Sequence, residues 1–87
     1  MADVHLPPTL PSLYADLPRR LELEAATVDE VIDRLDERWP GLRDRLCEPG
    51  PALRVHINVY VDRERAGLGT KLEPGSRVDV IAAISGG

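Results

Sequence analysis

The sequence predicts an α+β fold in which one amphipathic helix covers one face of a small mixed sheet. Three observations point to it. The segment TVDEVIDRLDERW carries its apolar residues at helical spacing. The segments RVHINVYVD and RVDVIAAI alternate with the period of two that half-buried strands require. The chain has 87 residues, room for one domain (residues 1–87) and one core, so helix and strands have only each other to bury against.

That core must be aliphatic. Hydrophobic residues make up 43% of the chain, yet there is no Phe, one Trp and two Tyr. Val4 to Leu6 reads as a short strand, ended by Pro7 and Pro8. The stretch PPTLPSLYADLP, residues 7–18, is punctuated by prolines that no regular helix or strand interior accepts, and reads as a loop. In RRLELEA, residues 19–25, Leu21 and Leu23 face one way and Arg20, Glu22 and Glu24 the other, as in a half-buried strand.

Thr27 and Glu30 have the spacing of a capping box. Behind them Val28, Val31, Ile32, Leu35 and Trp39 form one apolar stripe, and Pro40 and Gly41 stop the helix. Asp29 and Glu30 in the first turn and Arg38 in the last suit the helix dipole. Glu30 and Arg34 have the i,i+4 spacing of an ion pair. A further helical turn is predicted near residues 42–47, closed by Pro49, Gly50 and Pro51.

Residues 54–62 give the strongest strand, with Val55, Ile57, Val59 and Val61 on one face and His56, Asn58 and Tyr60 on the other. Residues 62–76 form a turn-rich connection anchored by Leu68 and Leu72. In the last strand, residues 77–84, Val78, Val80, Ala82 and Ile84 share a face opposite Asp79, Ile81 and Ala83. If the first and last strands lie side by side in the centre of a sheet of four to five strands, the result is the β-grasp, or ubiquitin-like, arrangement. The pattern alone leaves other small α+β arrangements open.

Charge and composition narrow the function. A net charge of −4, with eleven basic residues interleaved among fifteen acidic ones, argues against nucleic acid. No apolar stretch approaches a membrane span, and MADVHLPP lacks the basic and apolar regions of a signal peptide, so no membrane partner and a cytoplasmic location are expected. Cys47 is the single cysteine, which excludes an intramolecular disulfide. At a helix end beside Glu48, Cys47 reads as a small buried apolar residue rather than a nucleophile. His5 and His56 read as partly exposed strand residues, without the neighbouring ligands a metal site needs. No catalytic or metal-binding residue is predicted.

The order of elements, the motif INVYVDRE and the ending VIAAISGG together resemble the ubiquitin-like sulfur carrier proteins, the MoaD/ThiS family, and within it most nearly the CysO-type carriers of cysteine biosynthesis. The likeness runs from VHLPPTL through TVDEVIDRLDERWPGLRDRL to Gly87. It implies a protein cosubstrate rather than an enzyme. A partner related to the ubiquitin-activating enzymes joins the Gly87 carboxylate to AMP, using its own ATP and Mg²⁺. A sulfur donor then leaves a thiocarboxylate, and a downstream synthase accepts the sulfur for cysteine, molybdopterin, thiazole or another sulfur-containing product. The carrier itself binds no cofactor.

The residue types suit that task independently. An α-carboxylate has a pKa of roughly 3.5 and is ionised at neutral pH. Glycine has no Cβ, so Gly86 and Gly87 make a narrow end able to thread a closed pocket. Ile84, Ser85, Gly86 and Gly87, extended, span at most about 14 Å. The segment 85–87 is expected to be a flexible tail. His56, Tyr60, Ile81 and Ala83 form the expected docking patch on the outer sheet face. Three rivals remain: a protein modifier joined through Gly87 to amines, an interaction module with an idle tail, and a thiol enzyme acting through Cys47.

Overall fold

The computed structural model describes residues 1–8, 10, 14, 16–50 and 52–82. In chain order the elements are β1 (Ala2–His5), β2 (Arg20–Leu23), α1 (Val28–Arg38), α2 (Leu42–Leu46), β3 (Cys47–Glu48), β4 (Ala52–Leu53), β5 (Ile57–Val61), β6 (Glu64–Ala66) and β7 (Arg77–Ala82). The five main strands lie in the order β2-β1-β7-β5-β6. The first and last strands are parallel at the centre, Val4 opposite Val78, and the outer pairings are antiparallel. This is the expected β-grasp sheet, with α1 packed on one face. A separate ribbon, β3 against β4, was not anticipated.

The inner face follows from the alternation. Ala2, Val4, Leu23, Ile57, Val59, Val78 and Val80 are buried against Val28, Val31, Ile32 and Leu35 of α1. Leu42 and Leu46 of α2 are fully buried and extend that core, while Leu68 and Leu72 pack on its margin, as expected. Trp39 is also buried, its indole Nε1 donating to Asp16 at 3.0 Å.

Helix α1 begins as its sequence dictates. Thr27 is the N-cap, its hydroxyl accepting from the Glu30 N–H at 3.2 Å. Glu30 reaches back to accept from the Ala26 N–H at 3.3 Å, one residue earlier than a capping box requires. This use of Glu30 explains why the expected Glu30–Arg34 pair does not form; Arg34 bonds Glu37 at 3.3 Å and the Glu24 carbonyl instead. Thr27→Ala is expected to cost about 1 kcal/mol, read as a lowered denaturation midpoint with unchanged slope.

The helix ends at Trp39, and Gly41 turns the chain with φ of 95°, a conformation strained for any side chain. Asp36 Oδ1 then accepts from the N–H groups of Gly41 and Arg43 at 3.1 and 3.0 Å, so a carboxylate from α1 caps the start of α2.

The strands differ from expectation in three places, and the first of them runs Ala2–His5 rather than Val4–Leu6. The strand predicted over 54–62 begins at Ile57, because Arg54 to Ile57 is a β-turn closed by the Ile57 N–H on the Arg54 carbonyl at 2.9 Å. Val55 therefore leaves the core face and is 94% exposed. The connection 62–76 contains strand β6, paired with β5 through a two-residue hairpin turn at Asp62 and Arg63.

Candidate functional site

The outer face of the sheet is set by the residues that alternate with the core. Arg77, Asp79 and Ile81 of β7 lie centrally on it. His5 stands opposite Asp79 across the parallel ladder, Tyr60 opposite Asp79 on the other side, and Ile81 opposite Asn58. Of the expected docking residues, Tyr60 and Ile81 are thus diagonal neighbours on the same face of adjacent strands, two rungs apart. Ile81 is 46% exposed, and Tyr60 is half-buried.

His56 is a correction. It lies in the Arg54-to-Ile57 turn, exposed, at the end of the sheet rather than on its face. Ala83, Ile84, Ser85, Gly86 and Gly87 lie outside the described residues.

The polar part of this face is internally paired. Arg77 forks onto Asp79, Nε to Oδ2 at 2.9 Å and Nη2 to Oδ1 at 3.1 Å. Arg20 forks onto Asp3, Nε to Oδ1 at 2.9 Å and Nη2 to Oδ2 at 3.2 Å, and His5 Nε2 lies 3.1 Å from Asp3 Oδ2. The Arg20 and His5 hydrogen bonds hold the Asp3 carboxyl below its ordinary pKa, and the bonds to Asp79 raise that of Arg77. Both arginines thus have a carboxylate partner within the fold, and Ile81 and Tyr60 supply apolar surface further along β7 and on β5.

A lowered carboxylate pKa stabilises the fold above the ordinary value and loses that contribution as pH falls through the folded value. The stability difference between the wild type and Asp3→Asn is therefore expected to be constant above about pH 5 and to shrink below about pH 4. Thermal midpoints of the two proteins across this range check it.

An open groove of about 660 Å³ runs beside Ile81 and Ala82. Pro7 and Pro8 also line it, as do Arg20 and Asp79. The parallel register explains why the prolines line it. His5 pairs with Asp79, and two residues on, the prolines end β1 while β7 continues to Ala82. The prolines were legible in the sequence as strand breakers; that they flank the last residues of β7 follows only once the parallel pairing is known.

Cys47 is buried, and burial pushes its thiol pKa up, with Asp29 and Asp33 adding and Arg43 and Arg54 opposing. A thiol so placed stays protonated at neutral pH, the reverse of an activated nucleophile. His5 is held by Asp3 on β1, and His56 lies in its turn. Among the described residues no group of three His, Cys, Asp or Glu side chains is placed to hold a metal ion. No helix among them is long and apolar enough to cross a membrane.

A five-stranded mixed sheet with parallel central strands, crossed by one helix, defines a ubiquitin-like β-grasp domain. The sequence profile of the ThiS family matches residues 12–87, and the chain belongs to that family. The chain is 31% identical over 67 residues to the sulfur carrier protein CysO of Mycobacterium tuberculosis, covering 70% of this chain and 72% of the relative. It is 33% identical over 66 residues to small archaeal modifier protein 3 of Haloferax volcanii, covering 71% of each. A chain in the crystal structure of the Amycolatopsis orientalis BexX/CysO complex superposes with a TM-score of 0.88 at 30% identity, over 100% of both chains.

Proposed function

We propose that this chain is a sulfur carrier: a protein cosubstrate whose Gly87 carboxylate is adenylated by a partner enzyme and converted to a thiocarboxylate. The observation that carries it is the placement of β7. That strand is paired on both edges, to β1 and β5, and the sequence continues from Ala82 to Gly87 in five residues that end SGG. The body thus holds the root of a narrow end firmly while Ile84, Ser85, Gly86 and Gly87 enter the partner's active site. Sulfur carriers among its relatives support the same reading.

A Gly87 carboxylate oxygen attacks the α-phosphorus of ATP, and pyrophosphate leaves. The partner supplies Mg²⁺ and basic groups to offset the repulsion between carboxylate and phosphates. Hydrosulfide, HS⁻, the simplest sulfur donor, then attacks the acyl carbon, the acyl–phosphate C–O bond breaks, AMP leaves, and loss of the S–H proton gives the thiocarboxylate. Tyr60 and Ile81, with Ala83, supply apolar docking surface, and His56 borders it. A downstream synthase consumes the sulfur, and cysteine formation is the first route to test. A cytoplasmic location, where ATP is at hand, fits the same reading.

A second reading, a modifier joined through Gly87 to amines, is favoured by the likeness to a small archaeal modifier protein. Intact mass after incubation with the adenylating enzyme of the same genome, Mg-ATP and a sulfur donor separates the two. A carrier gains the mass difference between sulfur and oxygen. A modifier forms higher-mass conjugates. An unchanged mass leaves an interaction module and overturns both.

A further inference from the structure

Deepening the carrier reading, and resting on it, we infer that Val55 is a recognition residue for the adenylating enzyme, a contact at the root of the tail rather than on the sheet face. Val55 is a β-branched apolar side chain that is 94% exposed. Its β-turn is tied to the body at several points. The Arg54 N–H donates to the Leu46 carbonyl at 2.9 Å, Arg54 Nε donates to the Asp44 carbonyl at 2.8 Å, and the Ile57 N–H closes the turn. An apolar group held out in water by a braced turn is presented in advance, so a partner that covers it gains burial with little ordering cost.

The position of the turn identifies what covers it. Ile57 pairs with Ala82, so Val55 and His56 lie beyond the last rung of the β5–β7 ladder, at the end of the sheet from which the chain continues toward Gly87. Pro7 and Pro8 flank the same end from the β1 side. Five residues after Ala82 reach at most about 18 Å even when fully extended. An enzyme that closes its nucleotide pocket on Gly87 must therefore bring the rim of that pocket against this end of the body. Among the described residues Val55 is the most exposed large apolar side chain, and an apolar depression on the rim fits it. A partner that docked only on Tyr60 and Ile81 would leave Val55 in water.

The test is adenylation kinetics with the adenylating enzyme of the same genome and Mg-ATP, the carrier being the varied substrate. Val55→Asp is expected to raise the KM for the carrier about tenfold or more with kcat retained, because a charge replaces an apolar contact away from the reacting atoms. Val55→Ile is expected to stay within about twofold of wild type. Circular dichroism and the thermal midpoint verify that Val55→Asp folds as the wild type does, which its exposure predicts. A Val55→Asp chain adenylated with the wild-type KM overturns this inference alone. A wild-type chain that is never adenylated removes the carrier reading and this inference with it.

Discussion

A chain lacking Gly87 is expected to lose the sulfur mass gain while keeping its thermal midpoint. The deletion does not remove the reacting group, since Gly86 then carries the terminal carboxylate. It shortens the reach by about 3.5 Å. Attack on the α-phosphorus needs the reacting atoms about 3–3.5 Å apart and aligned, and a misplacement of about 1 Å costs on the order of a hundredfold. A body docked on its sheet face cannot slide forward to compensate without giving up the contacts at Tyr60 and Ile81. The rate is therefore expected to fall at least about a hundredfold. The fold is indifferent to the change: every fully buried apolar residue among those described lies at or before Val80. Intact mass after a fixed incubation and a thermal melt are the two readouts. A deletion variant that gains sulfur at the wild-type rate would mean that the reach of the tail does not set the rate.

How much was legible in the sequence depended on whether local pattern or long-range pairing decides an element. Helix α1 was readable in full because Thr27, the apolar stripe, Pro40 and Gly41 are local signals that agree. The central pairing of β1 with β7 is invisible locally and was reached through the order of elements and the family likeness. Hairpin β5–β6 was missed for a chemical reason. Its turn uses Asp62 and Arg63 with φ of 49° and 73°, where Asn-Gly or Asp-Gly is the usual signal. The tertiary structure holds this turn: Asp62 exchanges backbone and side-chain hydrogen bonds with Arg77, its N–H donating at 2.8 Å and its carboxylate accepting at 2.9 Å. Val55 and His56 were misplaced because RVHINVYVD continues its alternation through a turn, and periodicity cannot distinguish a strand from a turn that keeps the rhythm. The same error hid the exposed valine at the end of the sheet where β7 finishes, which only the register at Ile57 and Ala82 reveals. Of the candidate site, the role proposed for Gly87 comes from the family likeness, and the alternation of the strands correctly put Tyr60 and Ile81 on the outer face.

The largest effect on stability is expected from Leu35→Ala. Leu35 is completely buried at the middle of the face that α1 turns to the sheet, in the same core as Val4 and Val78 of the two central strands. Removing its isobutyl group forfeits transfer energy and leaves a cavity, together about 2–5 kcal/mol. Relaxation is limited here. The core has no Phe to swing into the space, and Trp39, the nearest large ring along the helix, is pinned by its bond to Asp16. The backbone offers no offset of comparable size, because Ala improves on Leu in helix propensity by only a few tenths of a kcal/mol. A domain of 87 residues has a total stability of about 4–13 kcal/mol, so this one change removes a large fraction of it. The thermal midpoint is expected to fall by about 10–30 °C. Leu35→Met, which keeps the volume, is expected to cost less than about 1.5 kcal/mol. Below its melting temperature the Leu35→Ala chain is expected to be adenylated with wild-type kinetics, since Tyr60, Ile81 and the root of the tail lie on the opposite face and end of the sheet. Denaturant titration of both variants checks the energetic part, and a loss below about 1 kcal/mol for Leu35→Ala would mean that α1 is not the element closing the core.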